Sequence, residues 1–138
     1  MITEELEDKD LITHNWTRNA WMVFNYLISE LDKCCPDLIL HYANREVRIK
    51  LTNTLPNGRF NIAAFEYQSR KHRFKIRTGG IIAILNENCK DIVEYNDYND
   101  NLEIESHLNT TGDITAIVND INKVIHIVSM SKNYYINK

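Results

Sequence analysis

The sequence predicts an α+β fold: an antiparallel sheet with an N-terminal and a C-terminal helix packed on one face. Two observations predict it. Apolar residues recur at helical spacing near each end of the chain, and they alternate with polar ones in between. The alternating segments are also joined by short turn-like stretches, which favours hairpins between consecutive strands.

The elements follow in order. Residues 1–14 begin MITEELEDKD and read as a flexible acidic lead-in to a single domain spanning 15–131. From Thr17 to Lys33 the apolar residues Ala20, Trp21, Phe24, Leu27, Ile28 and Leu31 share one helical face. Thr17 or Asn15 is placed to cap that helix, and Pro36 ends it. A short apolar run, Asp37 to Tyr42, comes next. Arg45 to Thr52 alternates, with Val47, Ile49 and Leu51 on one side and Arg48 and Lys50 on the other. NTLPNG is turn chemistry. Arg59 to Tyr67 is a second strand whose phase switches at Ala63-Ala64, which suggests a bulge. After a turn at Gln68-Ser69, Arg70 to Arg77 forms a third strand, with His72, Phe74 and Ile76 facing one way. Asn86 to Asn101 is polar and rich in Asn and reads as loop. Leu102 to Leu108 is a further strand, and Thr111 to Met130 a second amphipathic helix. Residues 132–138 read as a frayed tail.

A chain of 138 residues is long enough to bury a core without disulfides or metal. No apolar run approaches the roughly 18 residues of a membrane span. The acidic start does not resemble a signal peptide, so a cytoplasmic protein is expected. Three cysteines, two of them the adjacent Cys34 and Cys35, make a poor disulfide framework. No CxxC or HxxxH spacing supports zinc, and no GxGxxG or GKT/GKS a nucleotide loop, so neither metal nor cofactor is expected.

Charge is unevenly distributed. The chain carries −3 overall, yet its middle third is strongly basic between two acidic flanks. The basic residues there include Arg48, Lys50, Arg70, Lys71, Arg73, Lys75 and Arg77, and only Glu46 and Glu66 oppose them. If the strands pair as hairpins, Arg48, Lys50, Arg73, Lys75 and Arg77 share the face away from the helices. Like charges side by side on a sheet repel, whereas a polyphosphate partner reverses the sign by counterion release. Tyr67 and His72 lie near enough to stack on a base. The same cations also serve as protection against edge-to-edge aggregation, and the acidic flanks are able to neutralise them internally.

Other constellations carry less. Asp37 followed by Glu66-Tyr67-Gln68 has the layout of a metal-dependent nuclease, but Gln68 occupies the lysine position. Asp97, Asn99, Asn101 and Glu103 alternate like a calcium loop, but Leu102 stands where its glycine belongs and Leu108 where its bidentate glutamate belongs. Asp91, Glu94, Asp97, Asp100 and Glu103 recur every third residue, a spaced row of carboxylates able to imitate DNA phosphates toward a basic partner protein.

The segments REVRIKLTNTLPNGRFNIAAFEYQSRKHRFKIR and NLEIESHLNTTGDITAIVNDINKVIHIVS resemble, in element order, the double-wing DNA-binding domain of the phage MotA transcription factors. The same pattern resembles a small bacterial domain sometimes fused to restriction-associated proteins. The resemblance covers roughly residues 20–130 and implies a basic sheet surface meeting the DNA backbone, without catalysis. The expectation is a non-enzymatic nucleic-acid-binding protein or regulator. The alternative is an inhibitor or adaptor of phage or mobile-element type that uses its acidic segments to block a nucleic-acid enzyme.

Overall fold

The structure is a computed structural model that describes residues 1–4, 9–43, 45–51, 61–79, 93–98 and 101–136. The elements are β1 (Ile2–Glu4), α1 (Lys9–Thr13), α2 (Arg18–Cys34), β2 (Leu38–Ala43), β3 (Glu46–Leu51), β4 (Asn61–Gln68), β5 (Arg73–Gly79), β6 (Val93–Tyr98), β7 (Asn101–Asn109) and α3 (Ile114–Ile136). They form a seven-stranded sheet in the order β1-β2-β3-β4-β5-β7-β6. β1 runs parallel to β2 and every other pair is antiparallel. The fold is α+β, with α2 and α3 packed on the sheet. No helix among the described residues is long and apolar enough to cross a membrane.

Helix α2 forms where its spacing places it. Ala20, Val23, Phe24, Leu27 and Leu31 are its buried stripe. The Thr17 hydroxyl accepts from the backbone N–H of Ala20 at 3.1 Å, which satisfies one orphan donor of the first turn. At the other end the Cys35 N–H still reaches the Leu31 carbonyl at 2.8 Å, and Pro36 follows. Thr17→Ala is expected to cost about 1 kcal/mol, read as a lower midpoint in urea denaturation at unchanged slope.

Strand alternation sorts the sheet into two faces. On the helix face the register sets Tyr42 opposite Val47, Phe65 opposite Ile76, and Tyr67 opposite Phe74. These side chains and the apolar stripes of α2 and α3 make one core cluster. Its centre is aromatic. Phe24 lies 6.0 Å from Phe65 and 5.8 Å from Phe74, and Trp16 lies 4.9 Å from Phe24 and 5.0 Å from Phe74, between ring centroids. Edge-on and tilted rings at such spacing add to what burial alone contributes.

Several boundaries differ from the sequence reading. The third strand begins at Arg73. Ser69–Lys71 form a 3-10 turn, and His72 closes it in the left-handed conformation at φ 50°. Both the backbone N–H and the hydroxyl of Thr110 donate to the His72 carbonyl, at 2.9 and 2.8 Å, and hold that corner. His72 is therefore exposed and does not join Phe74 and Ile76. The bulge falls one residue earlier than Ala63-Ala64: Ile49 opposes Ala63 while Lys50 opposes Asn61, so Ile62 is the extra residue. Ile62 and Ala63 are consecutive and both buried, which a regular strand does not allow.

Part of the stretch read as loop is strand β6, paired to β7 from Val93↔Ser106 to Tyr98↔Asn101. The flexible lead-in contains β1 and α1, and the Met1 ammonium pairs with Asp32 of α2. α3 continues to Ile136 through most of the expected frayed tail. The NTLPNG turn and Arg59 lie outside the described residues.

Candidate nucleic-acid interface

The sheet face turned away from the two long helices carries the basic residues. Because strand side chains alternate, every second residue of β3, β5 and β7 reaches that face. Register aligns them across the sheet. One row runs His41, Arg48, Ala64, Arg77 and Glu105 through β2, β3, β4, β5 and β7. The next holds Glu66, Lys75 and His107, and a third holds Gln68, Arg73 and Asn109. Lys50 lies between Ile39 and Asn61. Arg48, Lys50, Arg73, Lys75 and Arg77 thus do share one face.

Ala64 shapes the middle of this surface. It has the shortest side chain of its row, and Arg48 and Arg77 flank it on either side. Both guanidiniums turn toward one carboxylate. The carboxylate of Glu46 spans the two: Arg48 Nε donates to its Oε1 at 2.9 Å, and Arg77 Nη2 donates to its Oε2. Lys75 is 3.2 Å from Glu105 Oε1, and His107 Nε2 lies 3.1 Å from Glu105 Oε2. Arg73 Nε donates to Gln68 Oε1 at 2.8 Å. Glu66 is exposed and stands across from Lys75 in register.

Much of the positive charge is therefore paired within the sheet. How firmly depends on exposure. The Arg48 side chain is 25% exposed and that of Arg77 37%. Ion pairs in such contact with water contribute from nothing to about 1 kcal/mol each. A nucleic-acid backbone offers a row of phosphates, each able to take a guanidinium in bidentate geometry, and releases counterions as it replaces these carboxylates. Among the described residues Lys50 has no carboxylate partner.

The remaining sites sort as follows. Arg70 and Lys71 are not on the sheet face; they are exposed on the 3-10 turn beside His72, at the end of β4 and β5. Tyr67 does not face outward. It is 8% exposed within the aromatic cluster, its hydroxyl 3.5 Å from Thr17 Oγ1, so it offers no stacking platform. The acidic row is split. Asp91 and Asp100 lie outside the described residues, Glu94 and Asp97 are in β6, and Glu103 is in β7. Glu94 pairs in register with Glu105, and Glu103 with Asn96. A rhythm of three is not the two-residue period of a strand.

Asp37 and Glu66 do not converge. Asp37 precedes Leu38, which pairs with Leu51 at one end of β3, whereas Glu66 lies beyond the Val47↔Phe65 pair at the other. Asp37 is held instead by Lys132 of α3, whose ammonium donates to it and keeps the carboxyl below its ordinary pKa. Asp97, Asn101 and Glu103 belong to the β6–β7 hairpin and not to a loop between helices. Among the described residues no three His, Cys, Asp or Glu side chains gather as a metal site.

The sequence reading counted Glu46 against the basic residues but did not place Glu46, Glu105 or His107 on this face. The signal for Glu46 was present, since it has the same parity as Arg48 and Lys50. Glu105 and His107 required the β5–β7 register, which joins segments far apart in the chain. A cleft of about 750 Å³ adjoins the face, lined by Leu11, Ile12, His14, Asn15, Arg45, Glu66 and Tyr67. Comparison with protein-family models, curated proteins and solved structures finds no match to this chain.

Proposed function

We propose that this chain is a non-enzymatic nucleic-acid-binding protein or regulator that lays the open face of its sheet against a phosphate backbone. One observation carries the reading: Arg48, Lys50, Arg73, Lys75 and Arg77 reach the face that neither long helix covers, with Arg48 and Arg77 on either side of Ala64 in register. Arg70 and Lys71 extend the cationic surface around the β4–β5 corner. Contacts of this kind position a backbone and carry little sequence information. The resemblance to the double-wing domain implies the same surface.

The test is fluorescence anisotropy with labelled duplex DNA, single-stranded DNA and RNA at about 50 and 200 mM salt, a range over which several phosphate contacts weaken steeply. The expected result is binding at low salt that falls along a straight line in log K against log salt. Absence of binding to all three at low salt sinks the proposal.

The second reading is an inhibitor or adaptor that engages a nucleic-acid-processing protein through its acidic segments. It is favoured by the place of β6, the terminal strand of the sheet, which carries Glu94 and Asp97. It predicts no binding to free nucleic acid.

A further inference from the structure

Adjacent side chains normally diverge, along a helix as along a strand. Cys34 and Cys35 do not, because the helix breaks between them. Cys34 is the last residue of α2, and Cys35 leaves helical geometry at φ −138°, ψ 64°. Their sulfurs are 3.5 Å apart. Ser129 of α3 stands against both, its Oγ 3.6 Å from Cys34 Sγ and 3.5 Å from Cys35 Sγ. Cys34 is exposed, and Cys35 is 3% exposed at the edge of the core.

The separation selects among the things two thiols can hold. A disulfide needs sulfurs about 2.05 Å apart, and the backbone between adjacent residues resists that closure. Zinc needs four ligands, and no third His, Cys, Asp or Glu joins the pair among the described residues. A linear two-coordinate centre with thiolate bonds of about 2.3 Å needs sulfurs about 4.6 Å apart, too wide for this pair. With bonds of that length, 3.5 Å corresponds to an angle of about 100° at the bound centre. That is the angle of a pyramidal centre with two bonds to sulfur and one other substituent. Thiolates favour soft centres.

We propose that Cys34 and Cys35, buttressed by Ser129, form a chelating site for a monosubstituted trivalent arsenical. In the reaction with an arsenoxide, two As–S bonds form and the As–O linkage is lost. The oxygen leaves as water with both thiol protons, and nothing is oxidised or reduced. Burial pushes the Cys35 thiol up, which leaves the exposed Cys34 as the sulfur that attacks first.

The test treats the folded full chain with phenylarsine oxide and reads the intact mass after desalting. The expected product carries a single phenylarsenic group, survives excess monothiol and is stripped by 2,3-dimercaptopropanol. Cys34→Ser and Cys34→Ala both lose it; Cys34 is exposed, so neither change empties the core. Cys89→Ser keeps it. No adduct on the unmodified chain, an adduct that monothiol removes, or one that persists in both Cys34 variants overturns the proposal.

Discussion

Replacing Arg48 and Arg77 together by glutamine is expected to lower the salt slope of nucleic-acid binding by about 2, since each neutralised phosphate contributes close to 0.9 to that slope. Affinity at low salt falls with it. Glutamine keeps the stem as far as Cδ and a polar end while removing the charge. Glu46→Gln is expected to act in the opposite direction. Its carboxylate now occupies the space between the two guanidiniums, so removing its charge frees both for phosphate and tightens binding. The two results together are diagnostic. A surface that binds only by overall charge responds equally to any exposed pair, so neutralising Lys33 and Arg18 on α2 serves as the control. If Glu46→Gln weakens binding, or the control pair matters as much as Arg48 and Arg77, this face is not the contact surface.

The largest effect on stability is expected from Phe74→Ala. Phe74 is fully buried and lies among Trp16, Phe24 and Tyr67, with ring centroids 5.0, 5.8 and 5.1 Å away. It joins strand β5 to helix α2 and to the Trp16 segment, so a cavity there has rigid walls on several sides. Truncation of such a residue costs about 3–5 kcal/mol, a large share of the 5–15 kcal/mol typical of a whole domain. Urea denaturation is the measurement, with a lowered midpoint at unchanged slope as the expected outcome. A loss below about 1 kcal/mol would mean that the aromatic cluster repacks freely, against its close packing.

Local pattern and tertiary pairing contributed differently to what was legible. Helix α2 and its Thr17 cap depend on residues within a few positions of one another, and both were readable from spacing. The alternation of β3 was equally plain, because Val47, Ile49 and Leu51 enter one core while Arg48 and Lys50 meet water. β6 was not readable. In VEYNDY the alternation of Val93 and Tyr95 stops at Asn96-Asp97, too short a run to mark a strand, and as the terminal strand it pairs with β7 on one side. His72 was misplaced because alternation of His72, Phe74 and Ile76 shows periodicity and not where a strand begins; the corner is set by a left-handed backbone and by Thr110, 38 residues on.

By itself, then, the sequence determined the α+β class, the two amphipathic helices, the buried stripes and the gathering of cations in one third of the chain, since each follows from the period of nearby residues. Only the tertiary structure decided which carboxylates meet those cations. Glu46 reaches Arg77 across β4, and Glu105 reaches Lys75 from a strand about thirty positions later. Register between strands distant in sequence is set by the shared core beneath them, and the charge balance of the open face is its consequence.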